Sequence, residues 1–261
     1  MTRMVAAPDA APSADWRLAI VLFVLVVAAA LISHLGRLGV ARDQVIAAAR
    51  AVLQLAVVSA VIAVVLQSIV ASLLFVLVMF AVATLTSTRR LGVPISTAPW
   101  VGAALAAGAL PVVGLCLVSG VVPFNGPGVL PVAGIIIGGA MTAATLSGRR
   151  ATQELQAQGG AYEAALAIGL PSSEATRLVV EPTVREALVP GIDQTRTVGL
   201  VTLPGAFVGV LLGGGSAVEA GAAQVLVLCG LLAAQAATAA VMVRLVATRR
   251  VLHPDLRGLP A

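Results

Sequence analysis

Five stretches of this 261-residue chain, 18–36, 51–88, 91–148, 197–218 and 220–243, contain no Asp, Glu, Lys or Arg. Each reaches or passes the roughly 20 residues that a helix needs to cross the hydrocarbon core of a bilayer. Only helices and closed barrels satisfy every backbone group in lipid, and barrel strands alternate in polarity over about 10 residues. These runs are continuously apolar, so the sequence predicts an all-α polytopic membrane protein. With 59% hydrophobic and 10% charged residues, a water-soluble fold would lack the polar surface to cover itself.

Two runs are too long for one crossing. The 51–88 run divides near Gln67-Ser68, and the 91–148 run divides at Pro123-Phe124-Asn125-Gly126-Pro127-Gly128, where two prolines and two glycines punctuate the helical pattern. About seven spans result, placed at 18–35, 51–66, 69–87, 98–119, 129–148, 197–213 and 221–243. They form a single transmembrane domain over 16–250, with an Ala- and Pro-rich tail at 1–15 expected to be disordered and a C-terminal tail at 251–261. The first run is longer than a signal-peptide core and is followed by basic sequence, which favours an uncleaved span.

All 16 basic residues are arginine, and basic residues in short loops are retained on the cytoplasmic side. If the C-terminus is cytoplasmic, only Arg3 and Arg17 lie outside, which makes this an inner (plasma) membrane protein with its N-terminus outside. The formal charge of +5 is then explained by topology. Scattered arginines among only eight aromatic residues do not make a nucleic-acid surface. Cys116 and Cys229 lie in apolar spans without metal-ligand spacing.

Residues 37–50 place Leu38, Ala41, Val45, Ile46 and Ala49 on one face, as in an amphipathic helix at the inner interface. Small-residue spacing, Gly134-x-x-x-Gly138 in the fifth span and Gly205-x-x-x-Gly209-x-x-x-Gly213 in the sixth, predicts close helix contact in the bundle interior.

Residues 149–196 are the one long polar stretch, expected as a helical cytoplasmic loop. Gly159-Gly160 interrupts a helix arriving from the fifth span, and Ala161–Ile168 forms a short helix ended by Gly169 and Pro171. A second short helix starts at Ser172 and stops at Pro182, and a third runs from Thr183 to Val189 before Pro190-Gly191. Leu166, Ile168, Leu170, Leu178, Val179, Val180, Val184, Leu188 and Val189 are more apolar surface than a free loop exposes, so the segment should pack on the bundle or on a partner.

Within this loop, Glu163-Ala164-Ala165, Gly169 and Pro182 have the spacing of the EAA loop of bacterial ABC-transporter permeases, which they resemble, with Glu181 at a usually apolar position. Gly138 to Ala144, and Ile192-Asp193-Gln194-Thr195-Arg196-Thr197-Val198-Gly199-Leu200-Val201-Thr202-Leu203-Pro204-Gly205, resemble the signatures of the FetB-type iron-export permeases and their plant aluminium-tolerance relatives. The resemblance implies a homodimeric permease subunit, embedded in lipid, that uses ATP hydrolysed with Mg by a separate cytosolic ATP-binding subunit to export a metal ion or small solute. Glu163, Ala164, Ala165, Gly169 and Pro182 would dock that subunit; Asp193, Thr195, Arg196, Pro204 and Gly205 would form the inner hinge of the sixth span.

A P-loop requires lysine and this chain has none, so it carries no ATPase site and binds no cofactor of its own. Gly138, Met141, Thr142 and Thr145 are candidates to line a translocation path, although a methionine in a span is more often packing material. The family pattern has an Asn near Gly139 and methionines near Ala206 and Phe207, all replaced here, which leaves the cargo open. Two alternatives remain: an ATP-independent carrier or channel, and an intramembrane lipid-modifying enzyme, for which no acid, base or metal-ligand motif is present.

Overall fold

The computed structural model describes residues 15–256 and 258, so the tail expected to be disordered lies outside the described residues except for Asp15. The chain divides into two compact units, one up to Val65 and one from Leu66 onward.

The first unit holds α1 (Trp16–Leu35) and most of α2 (Ala41–Gln67). Asp15 caps α1 by accepting from the Leu18 amide at 3.1 Å. The Ser33 hydroxyl near the end of α1 donates to Gln44 Oε1 of α2 at 2.8 Å. Residues 37–50 do not form a separate interfacial helix. No Gly or Pro interrupts Ala41–Gln67, and the amphipathic segment runs straight into the second span.

The second unit contains α3 (Ile69–Arg90), α4 (Ala98–Val118), α5 (Gly126–Ala157), α6 (Gly159–Ala167), α7 (Ser172–Thr197), α8 (Gly205–Leu212) and α9 (Ala217–Ala247). Both expected breaks are capped starts. The Ser68 hydroxyl accepts from Ala71 and opens α3, while Asn125 accepts from Gly128 at 2.9 Å and opens α5. Ser216 and Glu219 form a reciprocal capping box at the start of α9.

Among the described residues, six helices are long and apolar enough to cross a membrane: α1, α2, α3, α4 with its preceding turn, α5 and α9. The expected sixth span is not one of them. Its sequence is divided between the end of α7, an irregular stretch and the eight-residue α8, because Gly199, Pro204 and Gly205 interrupt the ladder.

Helix direction shows what replaces it. A Cβ on Gly139 would overlap the Leu231 side chain, and one on Gly148 would meet the Met242 methyl at 3.0 Å, so α5 and α9 run parallel. Two consecutive parallel crossings require the intervening chain to return to the starting side. Val179 and Val180 cluster with Val243 and Val246, whereas Gly191 lies against Gln235, so α7 runs antiparallel to α9 and makes the first part of that return.

The expected short helices between 172 and 189 are therefore one 26-residue helix. Pro182 and Pro190 each remove an amide donor without ending α7, since Val179, Val180 and Ala187 are buried and hold the helix in place. Nor is the polar stretch wholly outside the bundle, because its last third descends alongside α5 and α9.

Two apolar clusters hold this unit together. One joins α3, α4, α5 and α9 around Leu105, Ile136, Ala140 and Met242; the other joins the far ends of α5 and α9 to α6, α7 and Leu256. Glycine sets the helix spacing in the first cluster, where a Cβ at Gly108 would overlap the Thr238 hydroxyl and the Ala234 carbonyl. The sixth-span glycines behave differently. Gly205 and Gly209 have nothing within 4 Å of a built Cβ, and α8 has no buried residue, so the expected interior packing of this stripe is not found within the chain.

Gly108→Leu should force α4 off α9, at a cost of about 1–3 kcal/mol for overpacking. Thermal unfolding in detergent is expected to show a lower midpoint. An unchanged midpoint would contradict the α4–α9 approach.

Candidate functional site

The polar loop contributes a short helix with two different faces. Tyr162 and Ala165 point inward and are buried at 1% and 3% exposure, and Arg249 Nη2 donates to the Tyr162 hydroxyl at 3.1 Å. Glu163 and Ala164 face outward, beside Ile168 at 80% exposure. Ala165 thus belongs to the base of the helix rather than to its outer surface. Gly169 ends α6 with a φ of +92°, which a side-chain-bearing residue rarely adopts. Its amide donates to Leu166 O at 2.9 Å and that of Leu170 to Ala165 O at 3.1 Å, a Schellman termination that turns the chain into α7. Pro182 is exposed but lies within α7, ten residues past the helix start at Ser172.

The candidate hinge residues fall in two places. Asp193, Thr195 and Arg196 occupy the last turns of α7, while Pro204 caps α8 and Gly205 is its first residue. Between them, Gly199 N–H donates to Thr202 O and Val201 N–H to Thr197 O, both at 2.9 Å, which closes a compact non-helical knot.

The break follows the part of α7 that packs beside α5 and α9. Gly191 packs on Gln235, nine residues before Arg244, which at the helical rise is about 13 Å along α9. Asp193 and Arg196 lie further along α7. Their side chains pair at 3.6 Å with 58% and 74% exposure.

The four path candidates separate onto two faces of α5. Gly138 and Thr142 line a groove of about 280 Å³ together with Pro190, Gly191, Gln194 and Gln235. Met141 and Thr145 turn toward α3 instead. The Thr145 hydroxyl donates to Met141 O at 2.9 Å and lies 3.4 Å from Ser87 Oγ, while the Met141 side chain packs on the core. Gln194 and Gln235 are the groove residues that sequence reasoning missed. For Gln235 the signal was an amide side chain inside an otherwise apolar run, whereas Gln194 falls in the polar stretch, where an amide carries no signal. Gly191 is required for the approach, because a Cβ there would overlap the Gln235 amide.

A helical bundle with six helices long and apolar enough to cross a membrane among the described residues agrees with what the chain is similar to. Residues 16–251 match UPF0014, described as an uncharacterised protein family. The chain belongs to the UPF0014 family. Similar proteins include the UPF0014 membrane protein STAR2 of Oryza sativa subsp. japonica, 32% identical over 78% of this chain and 72% of the relative. Protein ALUMINUM SENSITIVE 3 of Arabidopsis thaliana is 28% identical over 78% and 76%. The protein named Probable iron export permease protein FetB in Escherichia coli K12 is 29% identical over 78% and 79%. No solved structure matches the chain.

For this UPF0014 chain, the groove is lined by the hydroxyl of Thr142, the amides of Gln194 and Gln235, bare glycine backbone and the apolar side chains of Ile135, Pro190 and Leu231. No group of three or more His, Cys, Asp or Glu that could hold a metal ion occurs among the described residues. Gln194→Cys, placed in a Cys116→Ala/Cys229→Ala background, should react with a membrane-impermeant methanethiosulfonate in reconstituted vesicles. Complete protection would mean that the groove is dry.

Proposed function

We propose that this chain is the membrane-spanning permease subunit of an ABC transporter, exporting a metal ion or small solute with ATP hydrolysed by a separate cytosolic subunit. The carrying observation is α6, a nine-residue helix rooted in the bundle by Tyr162 and Ala165 with Glu163 and Ala164 presented outward. A rooted helix transmits displacement to α5 and α9, which share its apolar cluster. A mobile loop would not. The similarity to a protein named as an iron export permease favours transport over enzymatic chemistry, and the absence of lysine leaves ATP and Mg to the partner.

In this reading α7 and α8 form the return crossing of a seven-span bundle. The arginine-rich end faces the cytoplasm, the C-terminus lies inside and the N-terminus outside. Discontinuous helices that expose backbone groups at mid-depth recur at solute sites in transporters. Gln194, Gln235, Thr142 and Gly138 line the path, and the hinge lies between Thr197 and Gly205. Asp193 and Arg196 are too exposed at this depth to face lipid. A second copy of the chain covers this face, with the uncovered Gly205 and Gly209 at the contact.

Glu163→Arg should abolish co-isolation with an ATP-binding subunit while the permease still elutes as a folded species. Undiminished co-isolation would reject α6 as the docking helix. An N-terminal tag should be reachable on intact cells and a C-terminal tag only after permeabilisation; finding both on one side would reject the orientation.

A further inference from the structure

Three arginines and a histidine from separate parts of the chain share one recess at the arginine-bearing end of the second unit. It measures about 320 Å³, and its polar lining is Arg89 and Arg90 from the last turn of α3, Arg149, Thr152 and Gln153 from α5, and His253 beyond α9. No carboxylate is among the lining residues. Asp255 sits beside it, with Oδ2 at 3.3 Å from His253 Nδ1.

The recess is shaped rather than accidental. Arg149 Nε donates to the Arg90 carbonyl at 2.8 Å, which completes the end of α3 and fixes the guanidinium plane while leaving its two terminal nitrogens for another acceptor. Gly92 adopts a φ of +68°, and a Cβ there would meet His253 Nε2 at 2.8 Å, so the bare backbone is what seats the imidazole. Arginines that serve topology alone repel one another and need only lie in the same loop. Here they converge from two helices without a counter-charge in the recess.

Arg89, Arg90 and Arg149 immediately adjoin the charge-free runs that form the spans, which puts the recess at headgroup depth. Basic recesses between membrane helices at this level suit phosphate-bearing headgroups, and guanidinium matches phosphate in geometry as well as charge. We propose that this recess binds a phosphate anion, supplied by an anionic phospholipid of the adjoining leaflet. The site stands apart from the docking helix and from the groove, and it requires no ATP-binding partner.

The test uses the purified full chain in neutral detergent, with thermal unfolding followed by helical circular dichroism. Phosphatidylglycerol mixed micelles, phosphatidylcholine mixed micelles and inorganic phosphate are titrated separately. Phosphatidylglycerol should raise the midpoint and phosphatidylcholine should not. In Arg89→Gln/Arg90→Gln, whose side chains are exposed and whose backbone acceptor for Arg149 remains, the half-saturating lipid concentration should rise about thirtyfold, at about a factor of five per arginine. Arg42→Gln/Arg50→Gln, with the same charge loss elsewhere, should respond like the unaltered chain. If inorganic phosphate reproduces the whole shift and lipid adds nothing, the recess holds free phosphate and the lipid source is overturned. Equal responses in the Arg89→Gln/Arg90→Gln variant and the unaltered chain, or no response in either, would overturn the site.

Discussion

Close backbone approach around α9 is the constraint on which the second unit depends. Lipid tails are as apolar as leucine, so helices in a bilayer gain little from hiding apolar surface and associate where backbones come near enough for dense packing. Gly108 on α4, Gly139 on α5 and Gly191 on α7 each leave room that a side chain of α9 occupies, and Gly230 of α9 receives Val112 and Ile136 in return. These contacts set α5 and α9 parallel. The chain between them must then turn back, and α7 does so by running antiparallel to α9.

The α7–α8 segment joins these two parallel helices. It carries Asp193, Gln194 and Arg196, then loses its helix over Val198–Leu203 before resuming. Placing polar side chains and irregular backbone within a bilayer is costly unless protein or water covers them. The cost makes functional sense if the break faces a path for solute and a second subunit. At the other end of α7, Tyr162 and the valines of the second cluster fasten α6 to the ends of α5 and α9. One helix thus links an outward-facing surface to the break in the bundle.

Much of this was legible because lipid imposes simple rules. Charge-free runs marked the long helices, Gln67-Ser68 and the prolines and glycines of 123–128 marked two breaks, and Gly169 marked the end of α6 because a left-handed turn favours glycine. Glu163 was found outward and Gly138 and Thr142 in the groove. The residues that misled were those whose local chemistry opposes their tertiary role. Pro182 and Pro190 read as helix ends, and Arg196 read as a boundary of the membrane. Met141 and Thr145 share a helix with Gly138 but face α3, a distinction set by small rotations that spacing on one chain did not reveal.

By itself the sequence determined the solvent, the approximate number of crossings, the end at which arginine gathers and the polar loop with its EAA-like helix, since each follows from local polarity and backbone preference. Tertiary structure alone decided that α5 and α9 run parallel, that α7 passes through its prolines into the bundle, and that Gln194 meets Gln235 across a bare glycine. Those outcomes depend on surfaces contributed by residues far apart in the chain. Packing energy between them outweighs the local cost of a proline or a charge, and no local pattern records that sum.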